Sequence, residues 1–255
     1  MEVEAVRVDP AYDDERLARV YDAENPWHPQ DDFYLALDLA ADAVLDVGCG
    51  TGTRLAVARE RGHLGRLVGV DPGRGMLAVA RRKSDRVQWV RGDAQTLDLG
   101  RRFDLVTMTG HAFQELLDDD AVRAALRSFA RHLVPGGLLA FETRNPAARA
   151  WERWAADGGH DVVVTSAGER VEVWIDGVGW HPPDLVSFRA HNRFLATGEL
   201  LSSAGRLRFV DPEHLRRLLR EEGFEVEGWF GDWDRGPVGG TSPEVVVLAR
   251  LPPRD

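Results

Sequence analysis

The sequence predicts an α/β fold in which a doubly wound, mainly parallel sheet carries an inserted antiparallel β cap. Over residues 41–147, short apolar runs rich in β-branched residues alternate with helical segments. This alternation is typical of a parallel sheet that is covered by helices on both faces. Residues 148–207 contain short strands separated by glycine and proline turns, and residues 208–255 return to a helix and two strands. We therefore expect one structural domain with an insertion.

The first elements in chain order are helices, and strands then largely alternate with helices. Two stretches of residues 1–40, DERLARVYD and DDFYLALDLAA, have apolar residues at helical spacing. The predicted strands of the α/β part are AVLDVG, RLVGVD, VQWVRGD, FDLVTMTG and GGLLAFET. The helices between them are TRLAVARERG, GRGMLAVARRK and DDDAVRAALRSFARHL. The last of these helices begins with acidic residues, as the helix dipole favours.

The second half of the chain predicts the insertion and the closing elements. NPAARAWERWAAD has the pattern of one further helix. The four stretches HDVVVTS, RVEVWIDGVGW, LVSFRAHNRFLA and GELLSSAGRLRFV predict an antiparallel sheet of three or four strands. DPEHLRRLLREEGF predicts a helix with Asp211 as its N-cap, Pro212 at its first position and Gly223 as its stop. FEVEGWFGDW and EVVVLARL are expected to pair as the last two strands.

Composition and charge argue against several classes of protein. The net charge of −10 argues against a nucleic-acid binder, because phosphate contacts require a basic surface. No apolar run approaches the roughly 18 residues of a membrane helix, and the acidic N-terminus lacks an apolar signal core. The single cysteine, Cys49, excludes an internal disulfide framework and a cysteine-built zinc site. We therefore expect a cytoplasmic protein without a metal centre.

The stretch VLDVGCGTG, residues 44–52, predicts a nucleotide-binding turn after a buried strand. The glycines follow the spacing G-x-G-x-G, which differs from the G-x-G-x-x-G of dinucleotide enzymes. No Gly-Lys-Ser/Thr follows, so a Walker loop is absent from the sequence. Asp46 stands just before the turn and suits a ligand with positive charge and no phosphate. S-adenosylmethionine carries a carboxylate, an ammonium and a sulfonium and fits this description.

Three aspartates, Asp46, Asp71 and Asp93, are predicted at the ends of three successive strands. The carboxyl ends of parallel strands share one edge of the sheet, and open α/β sheets bind ligands at that edge. Asp71 is placed to accept hydrogen bonds from ribose hydroxyls, and Asp93 from the adenine amino group. Taken alone, Asp46 could be a buried acid whose hydrogen bonds are satisfied within the protein, and Asp71 and Asp93 could be helix caps or turn residues.

The chain resembles the class I S-adenosylmethionine-dependent methyltransferases over residues 41–147 and 208–251. The motifs VLDVGCGTG, GVDPGRGML, RGDAQTLDL, FDLVTMTGHAF and LVPGGLLAFE follow the order and spacing of that family. The resemblance implies a Rossmann-like, seven-stranded sheet and S-adenosylmethionine as the cofactor. It implies little about the substrate.

The resemblance also assigns roles to residues of the cofactor site. The methionine end would lie against Asp46 and the loop that contains Gly48, Cys49, Gly50 and Gly52. The nucleoside and the ammonium group would be held by Asp71, Pro72, Met76, Asp93, Ala94, Gln95, Thr109, Gly110 and His111. Tyr21 and Trp27 lie where related enzymes close a helical lid over the cofactor. Ordinary helix packing explains these two aromatic residues equally well.

For the chemistry, His111 in TGHAF is the best candidate for a general base, although it could simply hydrogen-bond to backbone or substrate. Candidate substrate residues are Phe113, Glu142, Arg144, Asn145, Trp174 and His191. Asn145 could instead cap the helix predicted to begin at Pro146. The cap is expected to cover the substrate pocket, and a dimer interface is the alternative for it. The sequence TGHAF replaces the Asp/Asn-Pro-Pro-aromatic loop of enzymes that methylate nucleic-acid bases.

We therefore predict an S-adenosylmethionine-dependent N- or O-methyltransferase of a small molecule or natural product, present as a monomer or homodimer. The expected mechanism is an in-line displacement in which the protein positions the acceptor behind the methyl group. Two alternatives remain open at this point. The same fold could use the cofactor for other chemistry, or it could serve as a non-catalytic subunit that regulates a partner.

Overall fold

The computed structural model describes residues 10–154 and 160–253. Residues 1–9 of the N-terminal region and residues 155–157 of the predicted helix NPAARAWERWAAD lie outside the described residues. The last two residues of the chain also lie outside them.

A seven-stranded sheet forms the centre of the molecule. Its strands are β1 (Ala43–Val47), β2 (Arg66–Asp71), β3 (Gln88–Arg91), β4 (Phe103–Met108), β5 (Leu133–Arg144), β10 (Glu225–Phe230) and β11 (Glu244–Arg250). They lie in the order β10-β11-β5-β4-β1-β2-β3. Strands β1 to β5 pair in parallel, whereas β11 is antiparallel to both β5 and β10. The predicted mainly parallel sheet and its closing strand pair are confirmed.

Seven α-helices surround the sheet in the described part of the chain. They are α1 (Pro10–Asp13), α2 (Glu15–Glu24), α3 (Pro29–Ala40), α4 (Thr53–Glu60), α5 (Arg74–Lys83), α6 (Asp119–His132) and α7 (Pro212–Glu221). The α7 boundaries agree with the sequence signals, because Asp211 caps the first turn and accepts a hydrogen bond from the His214 N–H. None of the helices in residues 10–154 and 160–253 is long and apolar enough to cross a bilayer.

The alternation of side chains along β1 explains why both faces of the sheet are covered. Val44 packs with Tyr34 of α3 and Leu55 of α4 on one face. Leu45 points to the other face and belongs to the core formed with Leu126 of α6 and other apolar residues. Since successive residues of a strand point to opposite faces, an unbroken apolar strand requires helices on both sides.

The inserted segment forms a separate antiparallel sheet, the cap. Its strands are β6 (Asp161–Val164), β7 (Arg170–His181), β8 (Leu185–Phe194) and β9 (Leu200–Arg208). They lie side by side in chain order. Val171, Val173 and Phe194 form its inner face, which packs on Leu17 and Val20 of α2.

The helix predicted for NPAARAWERWAAD is wrong over the described residues. Two short 3₁₀ turns, Pro146–Ala148 and Ala150–Glu152, stand in its place. Arg149 lies between them with a φ of 46°, in the left-handed region. An α-helix cannot pass through a residue in that conformation, so the helical pattern stops after one turn.

Candidate functional site

A cavity of about 570 Å³ lies at the carboxyl edge of the sheet, beyond the ends of β1, β2 and β4. Residues of α1 and α2 and of the cap also line this space, which we call the edge cavity. The predicted site residues that line it are Tyr21, Gly48, Gly50, Asp71, Pro72, Met76, Asp93, Ala94, Gln95, Thr109, Gly110, His111 and Arg144. A larger hollow of about 760 Å³ lies near Trp151 and Arg208, but no predicted site residue lines it.

The glycine turn places backbone against the edge cavity. Gly48, Gly50 and Gly52 all have positive φ angles, of 73°, 53° and 70°. Of the described atoms, only Tyr21 would lie within 4 Å of a Cβ added at position 50, at 3.8 Å. A ligand can therefore approach the Gly50 backbone closely, as a cofactor cradle requires.

Gly52 and Cys49 have other roles in this turn. A Cβ at position 52 would lie 2.3 Å from the Trp89 ring, so this glycine admits the packing of β3. The Cys49 N–H donates to the Val70 carbonyl at 3.0 Å, and neither residue 49 nor residue 52 lines the edge cavity. Both residues therefore have a structural role in this turn.

Asp71 connects the glycine turn to the second strand. Its Oδ2 accepts the Gly50 N–H and its Oδ1 accepts the Gly73 N–H, each at 2.8 Å. Burial raises the pKa of Asp71 to about 6, although both hydrogen bonds act in the opposite direction. Each carboxylate oxygen keeps a second lone pair that can accept a hydroxyl of a ligand.

The structure corrects the direct ligand contact expected for Asp46. Its Oδ1 lies 2.8 Å from the Thr107 hydroxyl and 2.8 Å from Nη2 of Arg54. Arg54 also pairs with the buried carboxylate of Asp38. Asp46 is therefore held behind the glycine turn by a buried ionic network and does not line the edge cavity. Sequence reasoning missed Arg54 because its partners lie on α3 and β1.

Asp93 lies two residues beyond the end of β3 and lines the edge cavity. Its Oδ1 accepts the Gln95 N–H at 2.8 Å, so the carboxylate also stabilises the local turn. Asp93 can therefore stabilise the turn and face the cavity at the same time.

The N-terminal helices place only one of the two predicted aromatic residues over the glycine turn. The Tyr21 ring lies beside Gly50, and its hydroxyl lies 3.6 Å from the position of a Cβ at Gly110. Burial raises the pKa of Tyr21 to about 12, with a further contribution from Asp71. Trp27 is 37% exposed, donates its indole N–H to Asp32 and lies outside the lining. The sequence missed four lining residues of this region, Tyr12, Asn25, His28 and Gln30.

His111 lines the edge cavity in a strained backbone conformation, with a φ of 60°. Its N–H donates to Glu142 Oε1 at 2.7 Å, and its Nε2 lies 3.1 Å from both carboxylate oxygens of Glu244. Burial raises the pKa of Glu142, which also accepts the Tyr34 hydroxyl at 2.6 Å. The imidazole is thus oriented by Glu244, a residue that sequence reasoning did not single out.

Three of the predicted substrate residues lie behind the cavity wall. Phe113 stacks on Phe141 in the core with ring centroids 4.2 Å apart. Glu142 holds the His111 backbone. Asn145 accepts the Ala147 N–H at 3.1 Å, in agreement with the alternative role of a helix N-cap. Its side-chain amide also donates to the Gly239 and Ser242 carbonyls. None of the three lines the edge cavity.

The expected contribution of Trp174 and His191 is wrong, because both lie on the outer face of the cap. Their rings stack with centroids 4.8 Å apart, and His191 also pairs with the Ser202 hydroxyl. The alternation along β8 instead directs Phe188 to the same face as Phe194, and Phe188 and Leu207 line the edge cavity. Phe188 could have been predicted as a lining residue, because it stands an even number of residues before Phe194 on the same strand.

The comparisons with known proteins agree with this geometry. Residues 44–137 match the methyltransferase domain family. The chain is 30% identical over 218 residues to cypemycin N-terminal methyltransferase from a Streptomyces species, which covers 80% of this chain and 81% of that protein. It is 33% identical over 135 residues to a Streptomyces fradiae dTDP-3-amino-3,6-dideoxy-alpha-D-glucopyranose N,N-dimethyltransferase, covering 49% of this chain and 52% of that protein.

A solved structure extends the similarity to nearly the whole fold. The SAM-bound amino pentose methyltransferase of calicheamicin biosynthesis from Micromonospora echinaspora superposes with a TM-score of 0.67 at 27% identity. The alignment covers 91% of this chain and 94% of that chain. The chain therefore belongs to the class I S-adenosylmethionine-dependent methyltransferases.

Proposed function

We propose that this enzyme, which methylates a small-molecule acceptor from S-adenosylmethionine, acts on an amino group and uses His111 as the proton acceptor. The observation that carries the proposal is the fixed imidazole at the edge cavity, with Glu244 on its Nε2. The relatives named above are methyltransferases of an N-terminus, an amino sugar and an amino pentose, and this supports a nitrogen acceptor.

The residues of the edge cavity fit the cofactor. Gly50 leaves the space that a side chain would fill, and Asp71 offers acceptor lone pairs beside it. In the proposal Asp71 holds the ribose, Met76 and Ala94 contact the adenine, and Asp93 accepts from its amino group. The backbone of Gly48, Thr109 and Gly110 faces the methionine part. When bound, the cofactor supplies a methyl group activated by a positive sulfur.

The acidic residues near His111 favour an amine over a hydroxyl. Glu142 and Glu244 contact His111 without lining the cavity, and Glu115 lines it. Carboxylates stabilise a nearby ammonium, so the acceptor enters protonated and has no free lone pair. A base must remove that proton before the nitrogen can attack the methyl group.

His111 is placed to take this proton at Nδ1. An Nε2–H that donates to Glu244 leaves Nδ1 as the acceptor atom of the neutral ring. Nδ1 accepts no hydrogen bond from the described residues and is not among their buried unpaired atoms, so it remains accessible. Glu244 then stabilises the imidazolium that forms, as an orienting carboxylate does for a catalytic histidine.

Replacing His111 by alanine should lower kcat for an amine acceptor about 100-fold. The dissociation constant of S-adenosylhomocysteine should stay within a factor of about two or three, because the cofactor contacts remain. The deficit should shrink at high pH, where the amine enters already deprotonated. Transfer of a labelled methyl group to a panel of small amines, and to matched alcohols, measures both the rate and the acceptor class.

Glu244→Gln is the matched variant, since it keeps a hydrogen bond to Nε2 and removes the charge. We expect a smaller loss of kcat from it than from His111→Ala. Transfer to alcohols alone would contradict the nitrogen acceptor. Equal rates of His111→Ala and the parent at all pH values would contradict the role of a base.

The affinity for S-adenosylhomocysteine should fall as the pH drops below about 6. Asp71 has its pKa raised to about 6 by burial, and only its charged form offers both oxygens as acceptors. Protonation therefore weakens binding, by up to about tenfold per pH unit below that value. Calorimetry between pH 5 and 8 measures this, and a constant affinity across the range would show that Asp71 does not hold the ligand.

A further inference from the structure

Arg144 places a cation in the edge cavity, and none of the described residues supplies a carboxylate partner for it. It is the last residue of β5 and, like His111, lines the cavity. In residues 10–154 and 160–253, no carboxylate oxygen lies within 4.0 Å of its guanidinium nitrogens. Arg144 is also the single arginine or lysine among the described lining residues. A half-buried charge without a counter-ion is costly, so such a group usually has a partner.

The local contacts hold the guanidinium in place without neutralising it. Nη1 donates to Gln114 Oε1 at 2.8 Å, and the ring of Trp154 lies 5.3 Å from the guanidinium carbon. Gln114 is buried and donates its own amide to the Arg208 carbonyl of β9 at 2.9 Å. Gln114 thus fixes the arginine between the sheet and the cap.

The remaining donors of Arg144 are available to a ligand. Nε and Nη2 donate no hydrogen bond to a described residue, and neither is among the buried unpaired atoms of those residues. Burial lowers the pKa of Arg144, although Glu244 and Glu142 act in the opposite direction. Both acids are already engaged, Glu244 by His111 and Glu142 by Tyr34 and the His111 backbone.

We propose that Arg144 determines substrate specificity by binding an anionic group of the acceptor, a carboxylate or a phosphate. An arginine with two adjacent free donors matches such groups in a bidentate way. The inference rests on the proposed function, because it places the reacting amine at His111 and the anionic group at Arg144. The acceptor is then an amine that carries its own negative charge.

Anion binding tests the proposal independently of turnover. The protein loaded with S-adenosylhomocysteine is titrated in a calorimeter with inorganic phosphate, diphosphate and acetate. We expect the parent to bind at least one of these anions and Arg144→Gln to bind it about 10- to 100-fold more weakly. Arg66→Gln is the control, since Arg66 is exposed at the amino end of β2, at the opposite edge of the sheet.

A matched set of amines separates specificity from a structural role. Phosphoethanolamine, β-alanine and ethanolamine share a two-carbon amine and differ in the group at the other end. We expect Arg144→Gln to raise KM for the preferred anionic amine by a much larger factor than KM for ethanolamine, which has no anionic group. The preferred anion in this series distinguishes a phosphate from a carboxylate.

The failures of the two proposals are distinguishable. If no anion binds the parent, or if Arg144→Gln binds it as tightly as Arg66→Gln, the anion site is wrong. An equal loss of kcat/KM for all three amines would also contradict it. Anion binding that depends on Arg144, together with no methyl transfer to any amine, would count against the proposed function and leave the anion site supported.

Discussion

Replacing Arg54 by methionine is expected to lower the free energy of unfolding by about 3–5 kcal/mol. Arg54 lies almost fully buried between the carboxylates of Asp38 and Asp46 and also donates to Thr107. Its removal leaves two buried acids without a counter-ion, and an unpaired buried charge is far more costly than a missing pair. Chemical denaturation at pH 7 measures the loss.

The pH dependence of this variant gives a second readout. Burial already raises the pKa of Asp38 to about 6 in the parent, even with Arg54 beside it. Without Arg54 the pKa of Asp38 rises further, so the folded protein binds protons that the unfolded chain releases. Stability of the variant should therefore increase as the pH falls from 7 to 5. A stability that falls over this range would contradict the assignment.

Two further variants serve as controls for Arg54→Met. Arg61 lies exposed at the end of the same helix, and Arg61→Met should change stability by less than about 0.5 kcal/mol. Adding Asp38→Asn and Asp46→Asn to Arg54→Met removes the unpaired charges and should recover part of the loss. No recovery would indicate that packing, rather than charge, accounts for the effect.

Gly50→Leu is expected to weaken the binding of S-adenosylhomocysteine by about 1,000-fold, or roughly 4 kcal/mol. Of the described atoms, only the Tyr21 ring lies within 4 Å of a Cβ at this position, so the new side chain projects into the edge cavity. A leucine there occupies the volume next to Asp71 that the proposal gives to the cofactor. Calorimetry and thermal unfolding measure affinity and stability separately.

Gly100→Leu provides the matched control for the backbone. Gly100 has a φ of 62°, close to the 53° of Gly50, and no described atom would lie within 4 Å of its Cβ. Both variants should lose about 1–2 kcal/mol of stability through the left-handed conformation. Only Gly50→Leu should lose the ligand. Unchanged affinity in Gly50→Leu would show that the glycine turn is not the cradle.

Much of the site could be predicted because its signals are local. The positive φ angles of Gly48 and Gly50 and the position of Asp71 at a strand end follow from a few neighbouring residues. The carboxyl edge then brings Asp71 and Asp93 to one cavity, since parallel strands end on the same side. The N-cap of helix α7 at Asp211 is another local signal, and this prediction is confirmed.

The incorrect expectations involve contacts between residues far apart in the sequence. Asp46 has the right position for a ligand contact, but Arg54 and Thr107 satisfy its carboxylate first. Trp174 and His191 alternate correctly along their strands, yet the packing of the cap on α2 turns that face outward. Nothing in the sequence near His111 identifies Glu244, which follows 133 residues later.

The fold class, the glycine turn and the family could be predicted from the sequence, because hydrophobic period, glycine conformation and capping depend on adjacent residues. The acids that line the edge cavity, the face of the cap that lies over it and the carboxylate that contacts His111 depend instead on tertiary packing. These choices depend on which side chains fill the remaining hydrogen-bonding capacity of a buried group. Those partners are fixed only when distant segments pack together. Arg54 then pairs with Asp46, whereas Arg144 donates only Nη1 to a described residue, Gln114.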